Sequence, residues 1–176
     1  MTAPASTRHL VLVGLMGAGK STVGAVCARR LGRPFVDTDR LVESEAGCSV
    51  REIFDTDGEA AFRALERTAV HRAATDPTAS VIACGGGVAA DPDNRTVLRD
   101  HGFVVWLDAS VDALAERATR TPGARPLLAS GDPVATLDRL ARDRHDAYAE
   151  IAHTRVDTDG RSVDAVADLV LAAFDA

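Results

Sequence analysis

Near the start of the chain, an apolar run leads into a glycine-rich stretch, GLMGAGKS at residues 14–21, and a helix-like segment follows. This is the pattern G-x-x-x-x-G-K-[ST] in the strand–loop–helix order of a phosphate-binding loop. Glycines let successive backbone N–H groups turn inward around a phosphate, and the start of the helix adds free N–H donors. Lys20 can place its charge beside the β- and γ-phosphates, and the Ser21 hydroxyl can complete a Mg²⁺ shell. The stretch therefore predicts a nucleotide phosphate site, in preference to a glycine-rich turn that only imitates the motif.

Two carboxylates end the next apolar run, in Asp37-Thr38-Asp39. Residues i and i+2 of an extended chain point the same way, so both side chains can face one cleft. One carboxylate can hold the metal, directly or through water, and the other can orient a substrate hydroxyl. An acidic residue here is also an ordinary helix cap, and Asp39 alone would fit that interpretation. Because a phosphate loop precedes the pair, we favour the functional interpretation.

Three further motifs place charge or glycine where ligands often bind. Arg63 and Glu66 lie on one helix face, either as a weak surface pair or with Glu66 orienting Arg63 toward an anion. Gly85-Gly86-Gly87 follows an apolar run, which indicates a close approach of backbone to a ligand or a simple turn. Arg144 and Tyr148 stand at i and i+4, and alone this pair is typical of a solvated helix face.

The elements that must position these residues alternate between short apolar runs and helical patterns. The strands we predict are His9–Val13, Pro34–Asp37, Ser80–Cys84, Phe103–Leu107 and Thr154–Val156. The helices we predict are Lys20–Leu31, Asp39–Ala46, Val50–Thr75, Pro92–His101, Val111–Thr119, Pro133–Ala152 and Ser162–Phe174. The last helix has a predicted buried face made of Val163, Val166, Leu169, Val170 and Phe174. This alternation predicts an α/β fold, a mostly parallel sheet covered on both sides by helices, with ligands beyond the carboxyl ends of the strands.

Two segments interrupt the alternation. Residues 38–75 place two helices between the second and third strands, enough for a substrate-binding lobe over the rim of the sheet. Residues 119–132 are rich in Pro, Gly and Arg and predict a mobile lid beside the nucleotide site. We expect residues 1–176 to form a single domain. Its core would comprise residues 8–37, 76–118 and 133–176.

The composition is that of an ordinary soluble domain, with 46% hydrophobic and 26% charged residues. A formal net charge of −6 argues against nucleic acid or an anionic membrane as a partner. No apolar run is long enough to cross a bilayer, and residues 1–8 lack a signal-peptide pattern. Three scattered cysteines favour buried free thiols over a disulfide frame or a metal site. We expect the protein to be cytoplasmic and monomeric.

Taken together, the motifs resemble the shikimate kinase family. They are the phosphate loop, Asp37-Thr38-Asp39, Phe62-Arg63, Gly85-Gly86-Gly87, Arg125-Pro126-Leu127-Leu128 and Arg144-x-x-x-Tyr148, in family order over residues 8–174. The resemblance implies a P-loop NTPase-type, three-layer α/β/α fold like that of nucleoside monophosphate kinases, with a five-stranded parallel sheet. It also implies transfer of the γ-phosphate of ATP to the 3-hydroxyl of shikimate. The products would be ADP and shikimate 3-phosphate, in the chorismate pathway to aromatic amino acids.

The resemblance also implies a role for each matching position. Expected to bind the nucleotide are Gly17, Ala18, Gly19, Lys20, Ser21, Thr22, Arg120, Arg125 and Arg161. Expected to bind shikimate are Asp39, Phe54, Phe62, Arg63, Glu66, Gly85, Gly86, Gly87 and Arg144. Ser21 and Asp37 match the Mg²⁺ site. Lys20, Asp39 and Arg125 match the catalytic positions.

On the acceptor side, the family pattern assigns distinct contacts. Arg63 and Arg144 match the pair that grips the shikimate carboxylate. Asp39 matches the carboxylate that hydrogen-bonds the shikimate hydroxyls and is proposed to take the proton of the attacking 3-hydroxyl. The same residue in the same place could instead only align that hydroxyl. Phe54 and Phe62 match aromatic walls around the ring.

On the nucleotide side, Arg125 matches the lid arginine that reaches the transferring phosphate. Arg120 and Arg161 match arginines that flank the adenine. The chain departs from the family pattern at Asp146, where a proline is common, and in residues 159–163, which lack a proline that some members carry. The second departure bears on the adenine contacts.

Other functions compatible with the phosphate loop are a different small-metabolite kinase, such as a gluconate kinase, and a nucleoside monophosphate kinase. A nucleotide acceptor would need a base-reading pocket in residues 38–75, where we find arginine and aromatic residues suited to a small carboxylate. Gluconate, another polyhydroxy acid, is the closer rival. A rival of another class is a nucleotide-dependent switch without acceptor-dependent turnover, and the full set of acceptor residues argues against it.

Overall fold

The computed structural model describes residues 8–119 and 132–176, which build a parallel sheet between two layers of helices. The strands are β1 (His9–Val13), β2 (Phe35–Asp37), β3 (Val81–Ala83), β4 (Gly102–Asp108) and β5 (Thr154–Asp157). Their order across the sheet is β2-β3-β1-β4-β5, and each neighbouring pair is parallel. The predicted α/β class and the five predicted strands are confirmed, with ends that differ by at most one residue. Because β1 is central, the loop that follows it lies at the middle of the ligand-binding edge.

Helices cover both faces of this sheet. They are α1 (Lys20–Leu31), α2 (Thr38–Ala46), α3 (Val50–Thr56), α4 (Gly58–Ala74), α5 (Pro92–His101), α6 (Val111–Thr119), α7 (Pro133–Ile151) and α8 (Val163–Phe174). A short 3-10 turn at Val88–Ala90 precedes α5. α1 packs on α8, and α5 packs on α7. Within the described ranges, no helix is both long and apolar enough to cross a bilayer.

The continuous helix predicted over residues 50–75 is wrong, because the chain breaks into α3 and α4. Ser49 caps α3 through a capping box with Glu52, and α3 ends at Thr56. Gly58 then has a φ of +82°, a conformation that a continuing right-handed helix does not contain. Residues 38–75 therefore hold three helices instead of the two we predicted.

The segment with these three helices has an apolar cluster of its own, separate from the main core around the sheet. The cluster consists of Val42, Ile53, Phe62 and Ala69, which are at most 4% exposed. Burial of these side chains joins α2, α3 and α4 to one another.

The predicted buried face of α8 is only partly correct. Val166, Val170 and Phe174 are buried, whereas Val163 and Leu169 are 38% and 42% exposed. The helix presents its 166–170–174 stripe to the core, and Leu169 lies a hundred degrees around the helix from Val170, which turns it toward solvent.

All three cysteines are free thiols, as predicted. Cys27 and Cys84 are buried, but Cys48 is only half-buried, so the prediction of burial is wrong for that residue.

Candidate active site

The loop between β1 and α1 forms the floor of a cleft at the carboxyl edge of the sheet. Its three glycines have positive φ, and Gly19 directly precedes α1. A Cβ on Gly17 would lie 2.6 Å from the Leu114 carbonyl oxygen, so this loop packs closely on α6. The Lys20 ammonium donates to the Leu15 carbonyl oxygen at 2.9 Å. The loop thus has the shape and the cation that a bound phosphate needs.

Beside this loop, a hydroxyl and a carboxylate lie in contact. Ser21 Oγ donates to Asp37 Oδ2 at 2.6 Å. Asp37 also caps α2, because its Oδ1 accepts from the backbone N–H of Asp39 at 3.1 Å and of Arg40 at 3.4 Å. The helix cap is therefore Asp37, and the alternative interpretation of Asp39 as the cap is wrong. Hard oxygen donors of this kind fit Mg²⁺, which takes few protein ligands and completes its shell with phosphate and water.

Asp39 reaches the same cleft by a route that we did not predict. The strand ends at Asp37, so Asp39 lies in the first turn of α2 and the extended-chain argument does not apply to it. Burial raises the pKa of Asp39 to about 6, and the charges of Asp37 and Glu66 add to the shift while Lys20 opposes it. Its Oδ1 is buried and accepts no hydrogen bond from the described part of the chain.

The half-buried Arg63 pairs with a fully buried Glu66, so the weak surface pair is the wrong interpretation. Glu66 is 1% exposed, and its Oε2 accepts from Arg63 Nη1 at 2.8 Å. Burial raises the pKa of Glu66, and the charge of Arg63 opposes that shift. Glu59 holds the other side of the guanidinium at 2.9 Å, and the ring of Phe62 lies 5.2 Å from it. Phe54 lies 4.9 Å from Phe62, ring centre to ring centre. Both phenylalanines therefore lie in one wall of the cleft, beside an oriented cation.

Arg144 and Tyr148 are also buried, at 8% and 1% exposure, so the solvated helix face is wrong as well. Arg144 Nη1 donates to the Gly86 carbonyl oxygen at 2.7 Å, and the Tyr148 hydroxyl donates to the same oxygen. The sequence could not reveal this burial, because the acceptor is a backbone atom on a distant segment.

The segment Gly85–Gly87 is where these groups meet. A Cβ on Gly85 would lie 2.6 Å from Asp39 Oδ1 and 2.8 Å from Glu66 Oε1. A Cβ on Gly87 would lie 2.2 Å from Arg63 Nη1. A Cβ on Gly86 would lie 3.2 Å from the backbone nitrogen of Met16 in the phosphate loop. Close approach to Asp39, Glu66 and Arg63 therefore explains the glycines at 85 and 87, and the approach of this segment to a ligand stays a prediction.

Most of the predicted site residues line this single cleft. Those brought together are Gly17, Gly19, Lys20, Ser21, Thr22, Asp37, Asp39, Phe54, Phe62, Arg63, Glu66, Gly85, Gly86 and Gly87. Arg144 lies behind the wall, in contact with Gly86. Arg120, Arg125 and the predicted lid lie outside the described residues.

A second cavity adjoins the other side of the phosphate loop. Ala18 and Arg161 line it, together with Arg117, which we did not single out from the sequence. The Arg117 guanidinium donates to Thr158 Oγ1 at 2.9 Å and to the Thr158 carbonyl oxygen at 3.0 Å. The sequence held one signal for Arg117. It lies three residues after Leu114 on α6, the helix that follows β4, and β4 is next to β1 in the sheet.

Fold and site together define a class of protein. A parallel sheet carries a G-x-x-x-x-G-K-S loop at the tip of its central strand, and this loop faces a cleft of paired carboxylates and oriented arginines. This arrangement is that of a P-loop kinase for a small molecule.

The chain belongs to the shikimate kinase family. The family model described as "Shikimate kinase" matches residues 16–175. A shikimate kinase of Symbiobacterium thermophilum is 51% identical over 165 residues, which cover 92% of this chain and 94% of that one. The structure of a shikimate kinase from Acinetobacter baumannii in complex with shikimate has a TM-score of 0.91 at 35% identity, and the match covers 95% of this chain and 92% of that one. The predicted family is confirmed, and so is the predicted enzyme class, an ATP-dependent small-molecule kinase.

The gluconate kinase alternative is not supported. A gluconokinase from Sinorhizobium meliloti has a TM-score of 0.61 at 21% identity, with 96% of this chain and 93% of that one covered. A likeness at that identity extends to the fold alone.

Proposed function

We propose that this chain transfers the γ-phosphate of ATP to the 3-hydroxyl of shikimate, with the two substrates meeting where the phosphate loop contacts Gly85–Gly87. The observation that carries this proposal is the convergence of Arg63 and Arg144 on that glycine segment, with Asp39 Oδ1 beside Gly85. Two guanidinium groups beside a buried carboxylate suit an acceptor that has both an acid group and hydroxyls.

The phosphates of ATP would lie in the loop that ends in Gly19, where N–H groups and the start of α1 provide donors. Lys20 would exchange its contact with Leu15 for the β- and γ-phosphates. Arg117 and Arg161 would flank the base in the second cavity. For Arg125 and Arg120 the proposal depends on the family pattern.

Mg²⁺ would be held by Ser21 and Asp37, whose oxygens already lie together. When bound, the ion neutralises charge on the phosphates. In the part of the chain that the structure describes, no group of three or more His, Cys, Asp or Glu side chains could hold a metal ion. Two protein ligands are nevertheless consistent with Mg²⁺, because this ion usually keeps several waters and binds substrate phosphates.

The acceptor would be held by its carboxylate between Arg63 and Arg144, with its ring against Phe54 and Phe62. Its 3-hydroxyl would donate to Asp39. In the transfer, the hydroxyl oxygen forms a bond to the γ-phosphorus and the bond to the β–γ bridging oxygen breaks. The hydroxyl proton passes to the Asp39 carboxylate, and ADP leaves. The protein's contribution is alignment and charge neutralisation more than covalent chemistry.

The domain plan stays a proposal too. We infer one kinase domain with a core of residues 8–37, 76–118 and 133–176, a substrate-binding lobe of residues 38–75 and a lid of residues 119–132. The separate apolar cluster around Phe62 supports the lobe. We further propose that the protein works as a cytoplasmic monomer in the chorismate pathway.

The test is ADP release by the full chain with ATP and Mg²⁺, measured with shikimate, with gluconate and without acceptor. We expect turnover with shikimate to exceed both other rates by at least about a hundredfold, and mass spectrometry to detect a monophosphate of shikimate. Equal rates with and without shikimate would contradict the proposal, and a faster rate with gluconate would restore the rival.

A further inference from the structure

Thr38 lies between two residues of the proposed site and has no substrate contact in the proposed mechanism. Its side chain is completely buried, at 0% exposure, and it does not line the cleft that Asp37 and Asp39 line. Its Oγ1 accepts a hydrogen bond from the backbone N–H of Gly85 at 3.0 Å. This bond joins the start of α2 directly to the glycine segment.

The bond continues the β2–β3 ladder past the point where the strands end. Val81 N–H donates to the Pro34 carbonyl oxygen at 2.9 Å, and the ladder pairs Asp37 with Ala83 at its last register position. Hydrogen bonds in a parallel ladder recur at every second residue. After the N–H groups of Val81 and Ala83, the next donor in the series is the Gly85 N–H, which comes opposite Thr38. Thr38 is already the first residue of α2, and its backbone no longer follows the strand. Its hydroxyl takes the place of the missing ladder acceptor.

The hydrogen bond from the Gly85 N–H to the Thr38 hydroxyl fixes where Asp39 lies relative to the segment Gly85–Gly87. Asp39 follows Thr38 in the same helical turn, and its Oδ1 lies beside Gly85, where a Cβ would be only 2.6 Å away. Gly86, the next residue, carries the carbonyl that binds Arg144. A change in the Thr38–Gly85 distance therefore moves Asp39 relative to the segment that Arg144 contacts.

We propose that Thr38 is a positioning residue, whose hydroxyl holds Asp39 in register with Gly85–Gly87 and so aligns the carboxylate with the acceptor hydroxyl. This inference rests on the proposed function, because Asp39 aligns an acceptor hydroxyl only in the proposed reaction. It assigns Thr38 an effect on the acceptor and none on ATP. A buried N–H without an acceptor is unfavourable, so removal of the hydroxyl forces Gly85 to shift or to recruit another partner.

The test compares Thr38→Val, which keeps the shape and removes the acceptor, with Thr38→Ser, which keeps the hydroxyl. Small misplacements of reacting groups lower rates strongly, so we expect Thr38→Val to lower kcat/KM for shikimate by about tenfold to about a hundredfold. KM for ATP should stay within about twofold, because the phosphate loop is unchanged. Thr38→Ser should retain kcat/KM within about threefold of wild type.

Ser80→Ala is the matched control. Ser80 is 4% exposed and lies just before β3, at the end away from Gly85, where its hydroxyl donates to the Thr78 carbonyl oxygen at 2.7 Å. The variant loses a buried hydroxyl near the same strand without touching the cleft, so its kcat/KM for shikimate should match wild type. Unfolding temperatures of all variants are measured beside the rates. If Thr38→Val does not fold, Thr38→Ala takes its place with the same expected loss.

If the wild-type enzyme is active with shikimate, three results would overturn the inference. They are a kcat/KM of Thr38→Val equal to that of wild type, an equal loss in Thr38→Ser, and an equal loss in Ser80→Ala. A wild-type enzyme without shikimate-dependent turnover would instead contradict the proposed function itself.

Discussion

The cleft has two halves that are built in different ways. The phosphate half comes from one loop and the first turn of α1, so its donors are neighbours in sequence. The acceptor half is assembled from α2, α4, α7 and the segment after β3, and its parts meet only in the folded chain. The comparison teaches that a short motif can identify the reaction's donor, whereas the acceptor depends on tertiary contacts.

The halves also differ in their charge balance. In the phosphate half, Lys20 already donates to Leu15. In the acceptor half, Asp39 Oδ1 and Glu66 Oε1 are buried and accept no hydrogen bond from the residues described, and burial raises the pKa of both carboxylates. These two buried carboxylates lower the stability of the folded protein, and in the proposed function they serve substrate binding.

The largest expected effect is on chemistry in the acceptor half. Asp39→Asn keeps the shape of the side chain but cannot accept the proton of the hydroxyl. We expect kcat to fall by about a hundredfold to about ten-thousandfold, with the fold retained. Steady-state ADP release and circular dichroism measure both. Near-normal turnover would remove Asp39 from the mechanism.

The next largest expected effect is on the affinity of the acceptor half for shikimate. Arg63→Ala should weaken shikimate binding by about 2–4 kcal/mol, because a buried carboxylate loses a charge-assisted partner. ATP affinity should be almost unchanged, which calorimetry with each ligand would test. Equal losses for both ligands would contradict the division into halves.

The matched control for Arg63→Ala is Arg67→Ala. Arg67 lies one turn further along α4 and pairs with Asp91 outside the cleft. It should leave both affinities at wild-type values. Because Arg63→Ala also leaves Glu66 buried without its partner, the titrations are run below the unfolding temperature of the variant.

A smaller effect concerns stability. The folded-state pKa of Asp39, about 6, lies above its ordinary value of 3.8, so ionisation of Asp39 opposes folding. The stability that the protonated side chain contributes is lost as the pH rises from about 4 to about 6. Asp39→Asn should therefore increase the free energy of unfolding by about 1–2 kcal/mol at pH 7 and by much less at pH 4. Urea unfolding at both pH values measures this, and a gain that does not depend on pH would contradict the electrostatic cause.

The smallest expected effect lies on the nucleotide side. Arg117→Ala should weaken ATP binding by about 1 kcal/mol and leave shikimate binding unchanged, because it removes the single contact to the base that we propose for this half-buried side chain. The same calorimetric titrations with both ligands measure this. A loss of shikimate affinity would mean that α6 also shapes the acceptor half.

Features formed by neighbouring residues, as in the phosphate half, were predictable from the sequence. Features formed by distant residues, as in the acceptor half, were not. The strands, the phosphate loop and the three glycines were predictable, because apolar runs and fixed spacings report on local structure. The helix break at Gly58 was missed although Asp57-Gly58 is a turn signal, because the helical patterns on either side of residues 55–59 were joined into one helix. The burial of Arg144 and Tyr148 was not predictable either, since it depends on the Gly86 carbonyl oxygen far along the chain. Arg117 was missed for a similar reason, because its hydrogen-bond partner Thr158 comes from a distant part of the chain.

The contact between Gly86 and Met16 has a practical consequence for inhibitor design. The partition between the proposed phosphate and acceptor regions of the cleft is main chain at this point, because a Cβ on Gly86 would lie 3.2 Å from the Met16 nitrogen. A bisubstrate compound that crosses this partition would touch atoms that no point mutation deletes. Resistance at that spot would require a larger residue at Gly86, which would push the phosphate loop away from the acceptor and damage the enzyme's own reaction.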